Sequence, residues 1–183
     1  MIEANKGTDR SGSEKLPLPQ AVMVELANTM RGALSKIEHC LNQLNDEQVN
    51  WRPFETQNSI ANVILHLCGN VRQWIINGLT AAPDDRDRVG EFADRQRYSK
   101  EDLLGRIQET AREAVETLLS ITSEQVQARR RIQGFETNVL QAAIETVSHF
   151  VGHTHEIVYI TRLQLKETYV FQFVPQGKEQ GGI

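Results

Sequence analysis

The chain reads as an all-α four-helix bundle with a long crossover between helices two and three, and a minor two-stranded β element. Three observations predict this. Four long stretches repeat apolar residues at the 3/4 spacing of a core-facing helix. The second and third are joined by a charged segment, Ala81–Arg97, longer than an ordinary loop in a compact domain and suited to a bundle crossover. Val126–Ile132 alternates apolar and polar residues, and Tyr169–Val174 does so more weakly, so the two can pair as short strands.

Each element has its own justification. Met1 to about Leu16 is rich in Gly, Ser, Lys and Glu, and the reading is a flexible tail over residues 1–18, a bundle over 19–175, and a second tail over 176–183. The first helix spans about Gln20 to Leu44, with Leu26, Met30, Ala33, Ile37, Leu41 and Leu44 as its stripe. Asn45-Asp46-Glu47-Gln48 is a short capped turn, and Arg52 before Pro53 stops any helix. The second helix spans about Ser59 to Leu79, capped by Asn58 or Ser59. Its apolar face is Ile60, Ile64, Leu67, Val71, Trp74 and Ile75. A second face carries Ser59, Asn62, His66, Asn70, Gln73 and Asn77, which is polar but uncharged. A solvated face normally carries Lys and Glu, so this one reads as the wall of a wet cavity, with Asn62, Asn70 and Gln73 as candidate substrate-binding groups.

The crossover holds Asp84-Asp85-Arg86-Asp87-Arg88, and a solvated loop is the favoured reading over a functional lid. The third helix spans about Lys100 to Ile121, capped by Ser99, with Leu103, Ile107, Ala111, Ala114, Leu118 and Ile121 facing the core. Arg129-Arg130-Arg131 reads as a solvated strand edge rather than an anion site, and Gly134 breaks the segment. The fourth helix spans about Thr137 to Lys166 and is apolar on two sides. Ile144, Val147, Val151 and Val158 form one stripe; Ala142, Glu145, His149, His153, Glu156 and Ile160 form the other. The histidine side is assigned to the bundle interior. The valine side, which also carries His155 and Arg162, is either a second core face or a homodimer interface.

The 183 residues are 39% hydrophobic and 24% charged, which fits one globular domain with a sizeable core. A net charge of −4 argues against nucleic acid as a partner. The polar N-terminus has no signal-peptide core, and no apolar run approaches a membrane span. A reducing cytoplasm is the expected compartment, with Cys40 and Cys68 as free thiols.

The candidate site follows from the histidines. His149 and His153 are four apart, so one helix face presents both imidazoles, and such a pair can grip one divalent metal. His66 lies mid-helix two on the uncharged polar stripe. If the helices are neighbours, three imidazoles converge, and three protein ligands with an open position is the catalytic arrangement for zinc. Cys68 is two residues from His66, on the opposite side, and is not nominated.

The segment His149-Phe-Val-Gly-His153-Thr-His155-Glu156-Ile157 resembles the helix-four signature of the DinB/YfiT-like superfamily of metal-binding four-helix bundles. Asn58-Ser-Ile-Ala-Asn62-Val-Ile-Leu-His66-Leu-Cys-Gly-Asn70 resembles its helix two, and Asp46–Pro53 resembles the segment that joins helices one and two. The resemblance implies a bundle with a long crossover, frequently a homodimer, with His66, His149 and His153 as ligands of Zn²⁺, Ni²⁺ or another divalent ion. It implies a metal-dependent transferase acting on a small-molecule substrate. Some members are S-transferases that use a low-molecular-weight thiol, bacillithiol or mycothiol; others resemble hydrolases or isomerases. A non-catalytic, metal-stabilised dimeric binding module is the alternative. His155 and Glu156 stand where relatives often have Gly and Gln. Glu156 shares the face of His149, and is nominated as the catalytic group, with a ligand-supporting acceptor and a fourth ligand as the other roles open to it.

Overall fold

The computed structural model describes residues 16–174; the expected C-terminal tail and most of the N-terminal one lie outside them. The described chain is helical with one small sheet. α1 is Leu18–Leu41, α2 Asp46–Asn50, α3 Ile60–Val71, α4 Gly78–Thr80, α5 Arg88–Ala93, α6 Lys100–Ser120 and α7 Val139–Leu165; β1 is Arg129–Ile132 and β2 is Phe135–Asn138. α1 packs against α6 and α7, and α3 packs against the same two helices from the other side. That closes the four-helix arrangement around one core.

The apolar stripes of α1, α3 and α6 lie where their spacing places them. Met30, Ala33, Ile37, Leu41, Ile60, Ile64, Leu67, Leu103, Ile107, Ala114 and Leu118 are all buried. The caps also match. Asn45 and Gln48 form a reciprocal capping box on α2, Ser59 and Asn62 form one on α3, and the Ser99 hydroxyl accepts from the Asp102 N–H on α6.

The helical path does not stop where α3 ends at Val71. The chain continues as a π-helical stretch, Arg72–Asn77, and then as α4. Wider i→i+5 turns of this kind are rare and recur at functional sites. The helix finally stops at Ala81, which adopts a left-handed φ of 59°. Arg130 closes it: its Nε and Nη2 donate to the Leu79 carbonyl at 3.1 and 3.0 Å. The middle arginine of the triplet is therefore a helix cap, whereas Arg129 and Arg131 are exposed.

Three expectations are corrected. β1 pairs antiparallel with β2, with Ile132 opposite Phe135, through a two-residue turn at Gln133 (φ 53°) and Gly134 (φ 83°). The hairpin takes the residues expected to open helix four. Tyr169–Val174 is not a strand; it runs along α1, where the Val170 N–H donates to Gln43 Oε1 at 2.8 Å and Gln172 Nε2 donates to Ser35 Oγ at 2.8 Å.

The third correction concerns α7. Its core face centres on Ala143, Phe150, Thr154, Ile157 and Thr161, between the histidine side expected to face the interior and the valine stripe, with Ala142 and Ile160 of the one and Val147 of the other also buried. Ile144 is exposed, and Val151 and Val158 are only half-buried against the core. Thr146, Thr154 and Thr161 sit in the core without cost in unpaired hydroxyls, because each donates to the carbonyl four residues back. His149 and His153 lie at the edge of this face, at its border with α3.

Phe150 is fully buried at the centre of that face. Phe150→Ala should lower the unfolding free energy by about 3–5 kcal/mol in urea denaturation, while Ile144→Ala should change it by no more than about 0.5 kcal/mol. A comparable loss from both would mean that the core face of α7 is misassigned.

Candidate metal centre

α3 and α7 pack side by side, and this brings His66 to the histidine pair. His66, His149 and His153 each offer a nitrogen, and these nitrogens lie within 4.8 Å of one another. His66 Nε2 is 2.9 Å from His149 Nε2. Two nitrogens bound tetrahedrally at zinc distances are about 3.3 Å apart, close to this separation. The three imidazoles therefore can hold a divalent metal.

The remaining ring nitrogens are occupied in two of the three cases. His153 Nδ1 is 2.6 Å from Glu156 Oε2. His66 Nδ1 is 3.2 Å from Glu91 Oε2. Burial holds the His66 imidazole below its ordinary pKa, against the opposing pull of Glu91. Burial, with the neighbouring histidines and arginines, pushes His149 down to about 4. Both rings are thus neutral near pH 7, the form that ligates metals.

Glu91 comes from the crossover, and so does Arg86. The Arg86 side chain is 4% exposed, and its guanidinium grips Glu91 with two hydrogen bonds of 2.7 Å, Nε to Oε1 and Nη2 to Oε2. Its Nη1 donates to Gln73 Oε1 at 2.9 Å, and Gln73 Nε2 donates to Asp84 Oδ2 at 2.5 Å. At the other end, Asn62 Nδ2 donates to the carbonyls of Glu91 and Asp94, both at 3.1 Å. Its Oδ1 accepts from Arg52 Nη2 at 2.6 Å and from Ser59. Phe92 lies against the His66 ring, with centroids 4.6 Å apart.

The crossover is therefore not a solvated loop. It carries α5 and is fastened along the uncharged polar stripe of the second long helix. Of the three residues expected to bind substrate, Asn62 and Gln73 have their amides engaged in holding the crossover, and Asn62 is 1% exposed. Asn70 differs: its Oδ1 is buried and has no partner among the described residues. It lines a cavity of about 300 Å³ whose walls also include His66, His149, Trp74, Arg86 and Arg88.

Sequence reasoning missed Arg86 and Glu91, because a run of alternating charges gives no sign of which members turn inward. One signal was present. A helix face with a histidine and several amides but no charge needs buried partners, and the crossover was the segment long enough to supply them.

A family model covers residues 20–178 of the chain; its description is "Protein of unknown function (DUF1572)". The chain belongs to the DUF1572 family. A crystal structure of a conserved protein from Enterococcus faecalis has the same fold, with a TM-score of 0.66 at 16% identity over 81% of this chain and 98% of that one. No curated protein matches. For this DUF1572 member, among the described residues, no helix is long and apolar enough to cross a membrane.

Both cysteines are free, and neither belongs to the histidine group. Burial pushes the Cys68 thiol up to about 11, so it stays protonated and is no nucleophile.

Gln73→Ala removes the hydrogen bonds by which the helix holds Asp84 and Arg86 and should free the front of the crossover. Trypsin should then cut after Arg86 or Arg88 several-fold faster than in the wild type, with thermal unfolding little changed. Equal cleavage rates would show that the crossover is not held at this point.

Proposed function

We propose that this protein is a divalent-metal-dependent enzyme acting on a small molecule, with His66, His149 and His153 as the metal ligands. The observation that carries the reading is the convergence of three ligand nitrogens within 4.8 Å beside a cavity that His66 and His149 themselves line. Three imidazoles leave a position of a tetrahedral ion for water or substrate. Zn²⁺ and Ni²⁺ both suit imidazole ligands.

A bound divalent ion supplies positive charge that acidifies a water or thiol held against it. The chain's own residues do the rest. Asn70 Oδ1 accepts a hydrogen bond from an N–H or O–H of the substrate, since a buried carbonyl oxygen without a partner is costly. Arg88 offers a guanidinium to an anionic group at the cavity wall, and Trp74 supplies an apolar side. Glu156 orients His153 through its Nδ1 rather than acting on substrate; its carboxylate is engaged there at 2.6 Å.

Transfer to or from a low-molecular-weight thiol is the reaction we favour, supported by the resemblance of the helix-two and helix-four segments to the DinB/YfiT-like bundles. With the cysteines placed as they are, the thiol would come from the substrate side.

Wild-type protein purified without chelator should contain about one divalent ion per chain, and His149→Ala should fall well below that by elemental analysis. Unchanged stoichiometry in a folded His149→Ala variant would sink the site. The reaction class is then read by assaying the metal-loaded wild type with a panel of small thiols and electrophilic acceptors.

A further inference from the structure

We propose that Glu91, delivered by the crossover, is a positioning residue of the metal centre that fixes which nitrogen of His66 faces the ion. The inference rests on the three-histidine reading and adds to it a segment distant from any of the ligands in sequence.

A neutral imidazole carries one N–H, and only its bare nitrogen can ligate. Two groups compete for His66 Nδ1: Glu91 Oε2 at 3.2 Å and Arg86 Nη2 at 3.1 Å. They ask for opposite tautomers. A carboxylate only accepts, so it selects the proton on Nδ1 and leaves Nε2 bare toward His149 and His153. A guanidinium only donates, so it selects the proton on Nε2 and blocks the ligand atom. Arg86 spends Nε–H and one Nη2–H on the Glu91 carboxylate and Nη1 on Gln73, which leaves its second Nη2–H as the competitor for Nδ1. Ligation through Nε2 requires the proton on Nδ1, and of the two neighbours only the carboxylate can accept it, while the guanidinium holds the carboxylate in place.

The helix is built to admit this carboxylate. Gly69 lies one turn beyond His66, and a Cβ there would sit 1.9 Å from Glu91 Oε1 and 3.0 Å from Arg86 Nε. A glycine inside a helix costs about 1 kcal/mol relative to alanine, so Gly69→Ala should help the helix while displacing the carboxylate. Gly105 on α6 has nothing within 4 Å of its would-be Cβ and is the control for the propensity effect alone.

The test uses full-length wild type, Glu91→Gln, Gly69→Ala and Gly105→Ala. Zn²⁺ affinity is measured by competition with a chromophoric chelator, and the His66 tautomer of the metal-free proteins by long-range ¹⁵N NMR. Glu91→Gln keeps the side chain's size but removes the obligate acceptor. It should weaken Zn²⁺ binding about 10–100-fold and move the His66 proton from Nδ1 to Nε2, a readout that a merely structural role would not shift. Gly69→Ala should weaken binding to a similar degree, and Gly105→Ala should leave affinity unchanged. An unchanged tautomer, or an affinity within twofold of wild type in Glu91→Gln, overturns the proposal. A wild-type chain that binds no ion instead overturns the metal reading itself.

Discussion

The docking of the crossover onto the polar face of α3 is the contact on which the rest of the site depends. Without it, Asn62, His66 and Gln73 would line an open groove with their hydrogen-bonding groups left to water. With it, the two amides hold the ends of the segment, and the imidazole between them gains a carboxylate partner and an aromatic neighbour. Buried polar groups are tolerable only when paired, so the absence of charge on this face and the presence of charge in the crossover are two halves of one arrangement. Arg86 and Glu91 neutralise each other in the protected space between them.

The π-helical stretch belongs to the same arrangement. It begins right after α3 and carries both Gln73, which hooks the front of the crossover, and Trp74, which walls the cavity. The wider turn resets the direction in which later side chains project, so a face drawn at uniform helical spacing drifts from the true one beyond Val71. Asn70, just before the stretch, keeps its place beside the histidines. Gln73, within it, is turned to the crossover.

Much of this was legible in the residues, and the limits have physical causes. The stripes of α1 and α6 follow from apolar periodicity, because one side of each helix faces the core and the other faces water; that of α3 does so because its second side is polar, though the crossover covers it. The histidine cluster was legible because its three members sit on helices of fixed pitch. α7 was misjudged because its core face contains threonines that satisfy themselves through the backbone and so do not look apolar. The strand pairing was misjudged because a Gln-Gly turn closes a local hairpin before the distant Tyr169 segment can compete. Arg86 and Glu91 were invisible because their inward direction is set by tertiary docking, and no local rule reads that. Glu156 was nominated because it shares a face with His149; in the structure its partner is His153, one turn back.

The composition of the metal shell decides whether the three histidines are ligands. X-ray absorption at the metal edge of the native protein, purified without added thiols, measures it directly. Three imidazole nitrogens at about 2.0–2.1 Å for zinc, with any remaining ligand an oxygen, is the predicted shell. A sulfur shell near 2.3 Å, which would draw in Cys40 or Cys68, or a shell of oxygens alone, would contradict it.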